Sequence, residues 1–528
     1  MTRECQSGIH VLQISGMAGP IQPQFSGNEE SCEQSGHKNQ ILSIQLSVEG
    51  VMWLLGVVGL LCWQPGCTKQ AVFCEPSKTR SLECRISSSK LANDVNVLFE
   101  TIRQCHPNMC AYVSEEEVAA IRQRTYEAVG QPMTKQEFYW VVAFAVASLK
   151  NAHTFIVPLD EEFEAYLNGG GKYFPLNLRY DRGRIILSTV QVQDLPTGAE
   201  LLFINGEHAT SVFDRFARTR AAERHNSNYQ ATVQAAPLYL WMAGYDASRP
   251  LELEVQTFDG KSLRYELDSA ARTDIVAAKR KNQELLGRKN YSFRLLPEHN
   301  VGLIELNLLI EDRAERFDAF LRETFKKLSD QHVSHLIIDL RRNPGGNSSL
   351  GDMLISYLTD APIRQAELEM VRMSPLLRAS AGADIESIEK EYLGGQEAKD
   401  GEVYTYCPLE VKPSSVSCPF RGHVYLLIGS GNYSSAVLLA SAMKHYRLAT
   451  IVGEETGDPT AQYGNILWFS LPNSGLKVGV AAKYFVMAGG TEDGHGVTPD
   501  HEIVQTSTDS ACGKDAVMKY VLNLINPD

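Results

Sequence analysis

Two adjacent serines, Ser434 and Ser435, stand in "IGSGNYSSAVLLASAMKHY" (Ile428 to Tyr446), where an apolar run passes a small polar turn and becomes a helical pattern. A serine at such a junction can cap the helix by accepting a backbone N–H, and Ser is a preferred residue there. It can also attack an electrophile, because the exposed N–H groups and the helix dipole favour developing negative charge. A second junction, "DLRRNPGG" (Asp339 to Gly346), ends a buried strand with two glycines, and glycine lets backbone N–H groups approach a ligand closely. Either turn alone reads as ordinary punctuation between a strand and a helix. Together they could supply a nucleophile and an oxyanion site.

The elements around these turns alternate. "VGLIELNLL", "VSHLIIDL", "HVYLLIG" and "ATIVGEE" read as strands, and "ERFDAFLRETFKKL", "SLGDMLISYL" and "SAVLLASAMKHY" as helices between them. Such alternation predicts parallel βαβ units. Residues 364–420 interrupt the core as a long polar insertion, either a lid that gates substrate or a surface decoration stapled by Cys407 and Cys418. Upstream, "YFPLNLRY", "RIILSTV", "AELLFING" and "LELEVQTF" predict a β-rich block, broken by a helical stretch near Val212 to Ala235. "LPTGAELLFINGEHA" resembles the middle of a PDZ domain, a module that takes chain termini by strand addition. Further upstream, Leu91, Val95, Leu98 and Ile102 share one helical face. Ser114 with Glu117, and Thr134 with Glu137, predict capping boxes. The helix "KQEFYWVVAFAVASLK" is apolar nearly all round, so burial is expected. It runs directly into "NAHTFIV".

The expected organisation is a leader over 1–66, a linker over 67–88 and a helical domain over 89–165. A PDZ-like domain with a helical insertion follows over 168–272, and an α/β core over 273–528. The chain has 528 residues, a formal net charge of −13 and eleven cysteines. The acidic balance, with no basic run, argues against nucleic acid as partner. "VMWLLGVVGLLCW" (Val51 to Trp63) is too short for a membrane span and suits a signal-peptide core. The polar residues before it suggest an over-extended start. Gly66-Cys67 resembles a lipoprotein cleavage point, so attachment to a membrane through a lipid on Cys67 is one expectation, with a periplasmic or cell-envelope location. Cys105 with Cys110, and Cys407 with Cys418, each bracket a short segment that a bridge would close. No Cys or His grouping has zinc spacing, so no metal is expected.

Taken together, the segments resemble the C-terminal processing (tail-specific) serine peptidases. The family's Asp-Leu-Arg-x-Asn-x-Gly-Gly falls on Asp339, Leu340, Arg341, Asn343, Gly345 and Gly346, and its Ser-Ala-Ser-Glu-x-x-Ala on Ser434 to Ala440. That register makes Ser434 the nucleophile and Ser435 the next residue. The resemblance implies a ClpP/crotonase-like parallel-sheet core and polypeptide cleavage without a cofactor. The general base in the best-known members is a lysine just after Gly-Glu-x-Thr, but here "GEETGDPTAQYGN" holds none.

The sequence is more similar to the tricorn-like branch, which uses a histidine and an acid. "NAHTF" then makes His153 the base, with Asn151 in the usual Asp place. "TEDGHGVTPD" offers Asp493, ahead of Glu492, as the acid, and His495 is a rival base. Neighbours on an extended segment face opposite ways, so one of the two acids is expected at the imidazole. The implied oxyanion donors are the N–H groups of Gly345 or Gly346 and of Ser435. The expected activity is an exported serine endopeptidase using a Ser-His-acid relay. The alternative is an inactive homologue binding peptide termini or apolar ligands, as interphotoreceptor retinoid-binding proteins do; Val437 in the usual Glu place and the missing lysine favour it.

Overall fold

The computed structural model describes residues 10–12, 84–181, 183–189, 195–222, 229–274, 289–311, 313–380, 382–411, 419–506, 509 and 513–526. The signal-like stretch, Cys67, nearly all of the linker and Cys418 lie outside the described residues. Among those described, no helix is long and apolar enough to cross a membrane.

The α/β core follows the sequence pattern closely. Its sheet runs Tyr291–Leu296, Val301–Leu306, His335–Asp339, His423–Ile428, Thr450–Gly453, His501–Glu502. The first pair is antiparallel and the rest are parallel. Parallel strands need crossovers, here the helices Ala314–Asp330, Ser348–Ile355 and Ser435–His445. Both sheet faces are covered. Ile304, Ile338 and Leu426 meet helical Phe317, Leu354 and Val437 on one side. On the other, Leu303, Ile337 and Leu427 meet Val517 and Val521 of the helix Ala516–Ile525. The strands are therefore continuous apolar runs rather than alternating ones.

The helical domain is built from Ser88–Cys105, Glu115–Ala128 and Lys135–Ala147. Both expected capping boxes form, at Ser114/Glu117 and Thr134/Glu137. The third helix buries Phe138, Tyr139, Val142 and Val146, while Phe144 is exposed. Cys105 and Cys110 are unbridged, against expectation. The Cys105 side chain is on the buried helix face, 3.5 Å from Ser374 Oγ, and this contact takes it away from Cys110.

Residues 364–420 are woven into a second, antiparallel sheet rather than hanging from the core. It runs His10–Leu12, Val403–Tyr406, Ala366–Arg372, Lys477–Met487, Ala461–Ser470, and Phe155–Ile156 pairs with Lys477–Met487. Met373, Leu377, Ile385 and Tyr404 of this segment share one apolar core with Leu91, Leu98 and Phe138 of the helical domain. The pairing of Phe155 with Gly479 matters most for the site, because it carries the neighbouring His153 to the core. The β-rich block is a six-stranded antiparallel sheet that runs Asn177–Asp181, Arg184–Thr189, Glu200–Ile204, Leu251–Gln256, Ser262–Leu267, with Glu207–His208 also paired to Glu200–Ile204. The helix Ala209–Ala217 and the helices Tyr229–Gln234 and Ala236–Met242 pack on it.

Candidate active site

Ser434 occupies the N-cap position of its helix but makes no capping bond with its side chain. Its backbone sits at φ 49° and ψ −126°. That region is nearly closed to residues with a Cβ, and holding a serine there costs about 1–3 kcal/mol. Three elements clamp it. The Ser434 N–H donates to Asp458 Oδ2 at 2.8 Å. Gly345 lies so close that a Cβ there would stand 3.0 Å from Ser434 Cβ and 2.9 Å from the Tyr433 carbonyl. Asn432, fully buried, ties the turns together. Its side-chain amide donates to Asn343 O at 3.0 Å and to Leu340 O. Its side-chain oxygen accepts Gly429 N–H, and its carbonyl accepts the N–H groups of Gly457 and Asp458.

The two glycines adopt φ 112° and 135°. A Cβ on Gly346 would overlap the Leu309 carbonyl, so this strand-to-helix turn admits only glycine. Gly345 N–H is already donated to Asn343 Oδ1 at 2.9 Å, which removes it from the set of oxyanion donors. The N–H groups of Gly346 and Ser435 meet no acceptor among the described residues. Ser435 Oγ is not a competing nucleophile, since it donates to Gly346 O at 2.6 Å. Asp339 and Arg341 form an ion pair at 2.6 Å that extends to Asp515 at 2.8 Å and anchors the C-terminal helix. They brace the turn and do not line the site.

His153 is buried, and its backbone N–H donates to Asn151 Oδ1 at 3.2 Å, a side-chain turn that the usual Asp would make equally well. Its Nε2 lies 3.9 Å from Asp458 Oδ2, and its Nδ1 is buried without a hydrogen-bond partner. One carboxylate oxygen therefore stands against both the Ser434 N–H and the imidazole. Burial lowers the His153 pKa to about 4. Burial raises that of Asp458 to about 7, opposed in part by the Ser434 N–H. Both shifts favour uncharged forms, so the imidazole is neutral and able to accept a proton. No hydrogen bond joins Ser434 Oγ to His153 in this state.

The acid facing His153 is thus Asp458, a correction to the expectation from spacing. Asp493 is fully exposed and accepts His495 N–H at 2.9 Å. Glu492 accepts from Tyr484 OH at 2.7 Å. The reason lies in how the Gly496-Val497 segment is held. Thr456 Oγ1 accepts Val497 N–H at 2.8 Å, and Glu455 accepts Gly496 N–H at 2.7 Å. With this pairing Glu492, Asp493 and His495 are exposed, while Asp458 is buried. The rival base His495 is exposed, with its Nδ1 3.2 Å from Glu455. Asp458 lies within "GEETGDPTAQYGN", and an acid two residues beyond Thr456 is the available signal. Asn432 carried no signal beyond being a turn residue. Among the described residues no group of acids, histidines or cysteines is arranged to hold a metal.

Several known proteins are similar to parts of this chain. Residues 300–503 match Peptidase family S41. The chain is similar to a "Probable CtpA-like serine protease" of Staphylococcus epidermidis, 25% identical over 210 residues, 39% of this chain and 34% of that protein. It is also similar to a "Carboxy-terminal-processing protease" of Bartonella bacilliformis, 24% identical over 222 residues, 42% of this chain and 43% of that one. The alignments thus span less than half of either curated relative. The fold is shared with "mature CPAF", with TM-score 0.58 and 14% identity over 84% of this chain and 98% of that chain. The stretch that matches peptidase family S41, residues 300–503, carries both glycines, Ser434 and Asp458.

Proposed function

We propose that this protein is a serine endopeptidase acting on polypeptides, with Ser434 as nucleophile and His153 as general base. The observation that carries the reading is the strained, uncapped Ser434 at a helix N-terminus. It stands beside two N–H groups without acceptors and is tied to a buried imidazole through Asp458. Such strain is retained where a function requires it.

Ser434 Oγ attacks the scissile carbonyl and passes its proton to His153. Oxyanion charge falls on the N–H groups of Gly346 and Ser435, each worth about 2.7–4 kcal/mol in the transition state. Collapse expels the amine, which takes the proton from His153, and water then releases the acyl group by the same steps reversed. Ionised Asp458 stabilises the imidazolium. The antiparallel sheet spanning residues 177–267 fits a PDZ-like role in seating a substrate strand. The apolar stretch Val51 to Trp63 supports export, with Cys67 as a lipid site.

A second reading, a binding protein on the same scaffold, is favoured by the missing Ser434–His153 hydrogen bond. A fluorophosphonate probe separates the two. Labelling that disappears in Ser434→Ala supports the peptidase. No labelling of correctly folded wild type under any condition supports the carrier.

A further inference from the structure

The two N–H groups without acceptors belong to residues that are bonded to each other. Ser435 Oγ donates to the Gly346 carbonyl at 2.6 Å, and among the described residues that carbonyl has no other donor. Gly346 sits at φ 135°, and with no Cβ it has little of its own to resist rotation. Hydrogen bonds must therefore hold its two peptide units. Leu309 supplies two of them from its backbone. Its N–H donates to the Gly345 carbonyl at 3.1 Å, and its carbonyl accepts Asn347 N–H at 2.7 Å. A trans peptide points its C=O and N–H in opposite directions, so the Gly346 N–H points away from Leu309. The third bond is the only one from a side chain, and it comes from Ser435.

Ser435 is 6% exposed and begins the helix Ser435–His445. The resembled Ser-Ala-Ser-Glu motif has alanine at this place, and alanine is the best helix former. The hydroxyl is thus not needed to start the helix. Its one bond crosses from the serine turn to the glycine turn, between the residues that carry the two free donors.

We propose that the Ser435 hydroxyl is a positioning group of the oxyanion site. It locks the Gly346 peptide so that the Gly346 N–H and the Ser435 N–H converge on one oxygen. This rests on the peptidase reading above. As Ser434 Oγ bonds to the scissile carbon, the carbonyl π pair moves onto its oxygen and the serine proton passes to His153. Each N–H must then lie about 2.7–3.1 Å from that oxygen. A looser Gly346 peptide misses this distance in the transition state and leaves the rest of substrate binding untouched.

Full-length protein is assayed on a polypeptide substrate, with active sites counted by fluorophosphonate titration carried to completion. In Ser435→Ala, kcat per active site is expected to fall roughly 10- to 100-fold, the range for a misplaced rather than deleted donor, with KM within about twofold of wild type. The Ki of a peptide aldehyde, whose adduct carries the tetrahedral oxyanion, should rise by the same factor. Binding of the uncleaved peptide to Ser434→Ala should not change when Ser435→Ala is added. A hydroxyl serving stability alone would lower Tm or the number of active sites and would move neither kcat per site nor that Ki. Ser435→Thr keeps the donor and should regain most of kcat.

Should Ser435→Ala fail to fold, Ser435→Cys, similar in shape and a weaker donor, decides in its place and should also lose kcat per site. A folded variant of either kind with wild-type kcat per site, in a wild type that cleaves, overturns this proposal alone. A wild type that cleaves nothing and takes up no fluorophosphonate overturns the peptidase reading and this proposal with it.

Discussion

Asp458 accepts the backbone N–H of Ser434 at 2.8 Å, so the buried acid that faces the imidazole also fixes the peptide unit of the nucleophile. The two duties separate in Asp458→Asn. An amide oriented with its oxygen toward Ser434 keeps the N–H bond and loses the charge that stabilises an imidazolium. kcat is expected to fall by roughly 10²–10⁴-fold, the usual share of acid–base catalysis, with KM little changed. Steady-state kinetics on a polypeptide substrate check this, with circular dichroism to confirm the fold. Retention of full kcat would remove Asp458 from the mechanism.

The same carboxyl sets a pH dependence. His153, with its pKa lowered to about 4, is neutral through the physiological range and does not limit activity there. Asp458, raised to about 7, becomes the carboxylate only as pH rises through that value. Activity should therefore climb on an acid limb centred near pH 7, and Asp458→Asn should flatten it. Stability follows the opposite course. A carboxyl whose folded pKa is raised contributes stability that is present below its unfolded pKa and lost as pH rises to the folded value. Between about pH 4 and 7 wild type should lose stability on this account, while His153 acts in the opposite sense below pH 6.5. Asp458→Asn should gain thermal stability over wild type at pH 8 and much less at pH 4. Melting curves at the two pH values give the comparison.

Backbone strain at Ser434 yields a further expectation. At φ 49° and ψ −126° a Cβ is unfavourable, and glycine alone adopts the region freely. Ser434→Gly should be more stable than Ser434→Ala by about 1 kcal/mol or more, reversing the usual order of the two residues. Neither should label with a fluorophosphonate. Denaturant unfolding of the pair measures the difference. If the alanine variant is the more stable, the turn is not strained as described.

How much of this was legible in the sequence follows from range. The four parallel strands and three crossover helices named from the sequence fall where the pattern put them, because both faces of the sheet demand apolar runs, whereas the edge strands Tyr291–Leu296 and His501–Glu502 had no such pattern. Ser434, His153 and the glycine pair were marked by local motifs. The acid was not, because its placement depends on Thr456 and Glu455 drawing in Gly496 and Val497, contacts made across some forty residues of chain. Likewise the sequence offers Gly345 and Gly346 as alternative donors, and the Gly345 N–H is given to Asn343, a bond that only the folded turn reveals. Residues 364–420 looked like an insertion because their strands pair with Lys477–Met487, far away in sequence.

Asn432 gives the sharpest test of how these distant pieces are held. Buried side chains with polar groups are expensive unless every group is satisfied. Here the amide donates to Leu340 O and Asn343 O, and the oxygen accepts Gly429 N–H at 2.8 Å. Asn432→Ala strands those three groups in a buried site, each at about 1–3 kcal/mol before relaxation. A net loss of roughly 2–4 kcal/mol is expected, at the upper end for single substitutions. Activity should fall further than stability requires, because the glycine turn and the serine turn lose their common tie. Asn432→Asp is a stricter probe. It retains the acceptor for Gly429 N–H but sets a carboxylate against two carbonyl oxygens, so it should be worse than alanine at neutral pH and recover partly on acidification, when the protonated acid can donate to one of them. Denaturant unfolding at pH 5 and pH 8, alongside kinetics at pH 8, measures both effects. An aspartate variant as stable as wild type at pH 8 would show that this side chain does not join the turns.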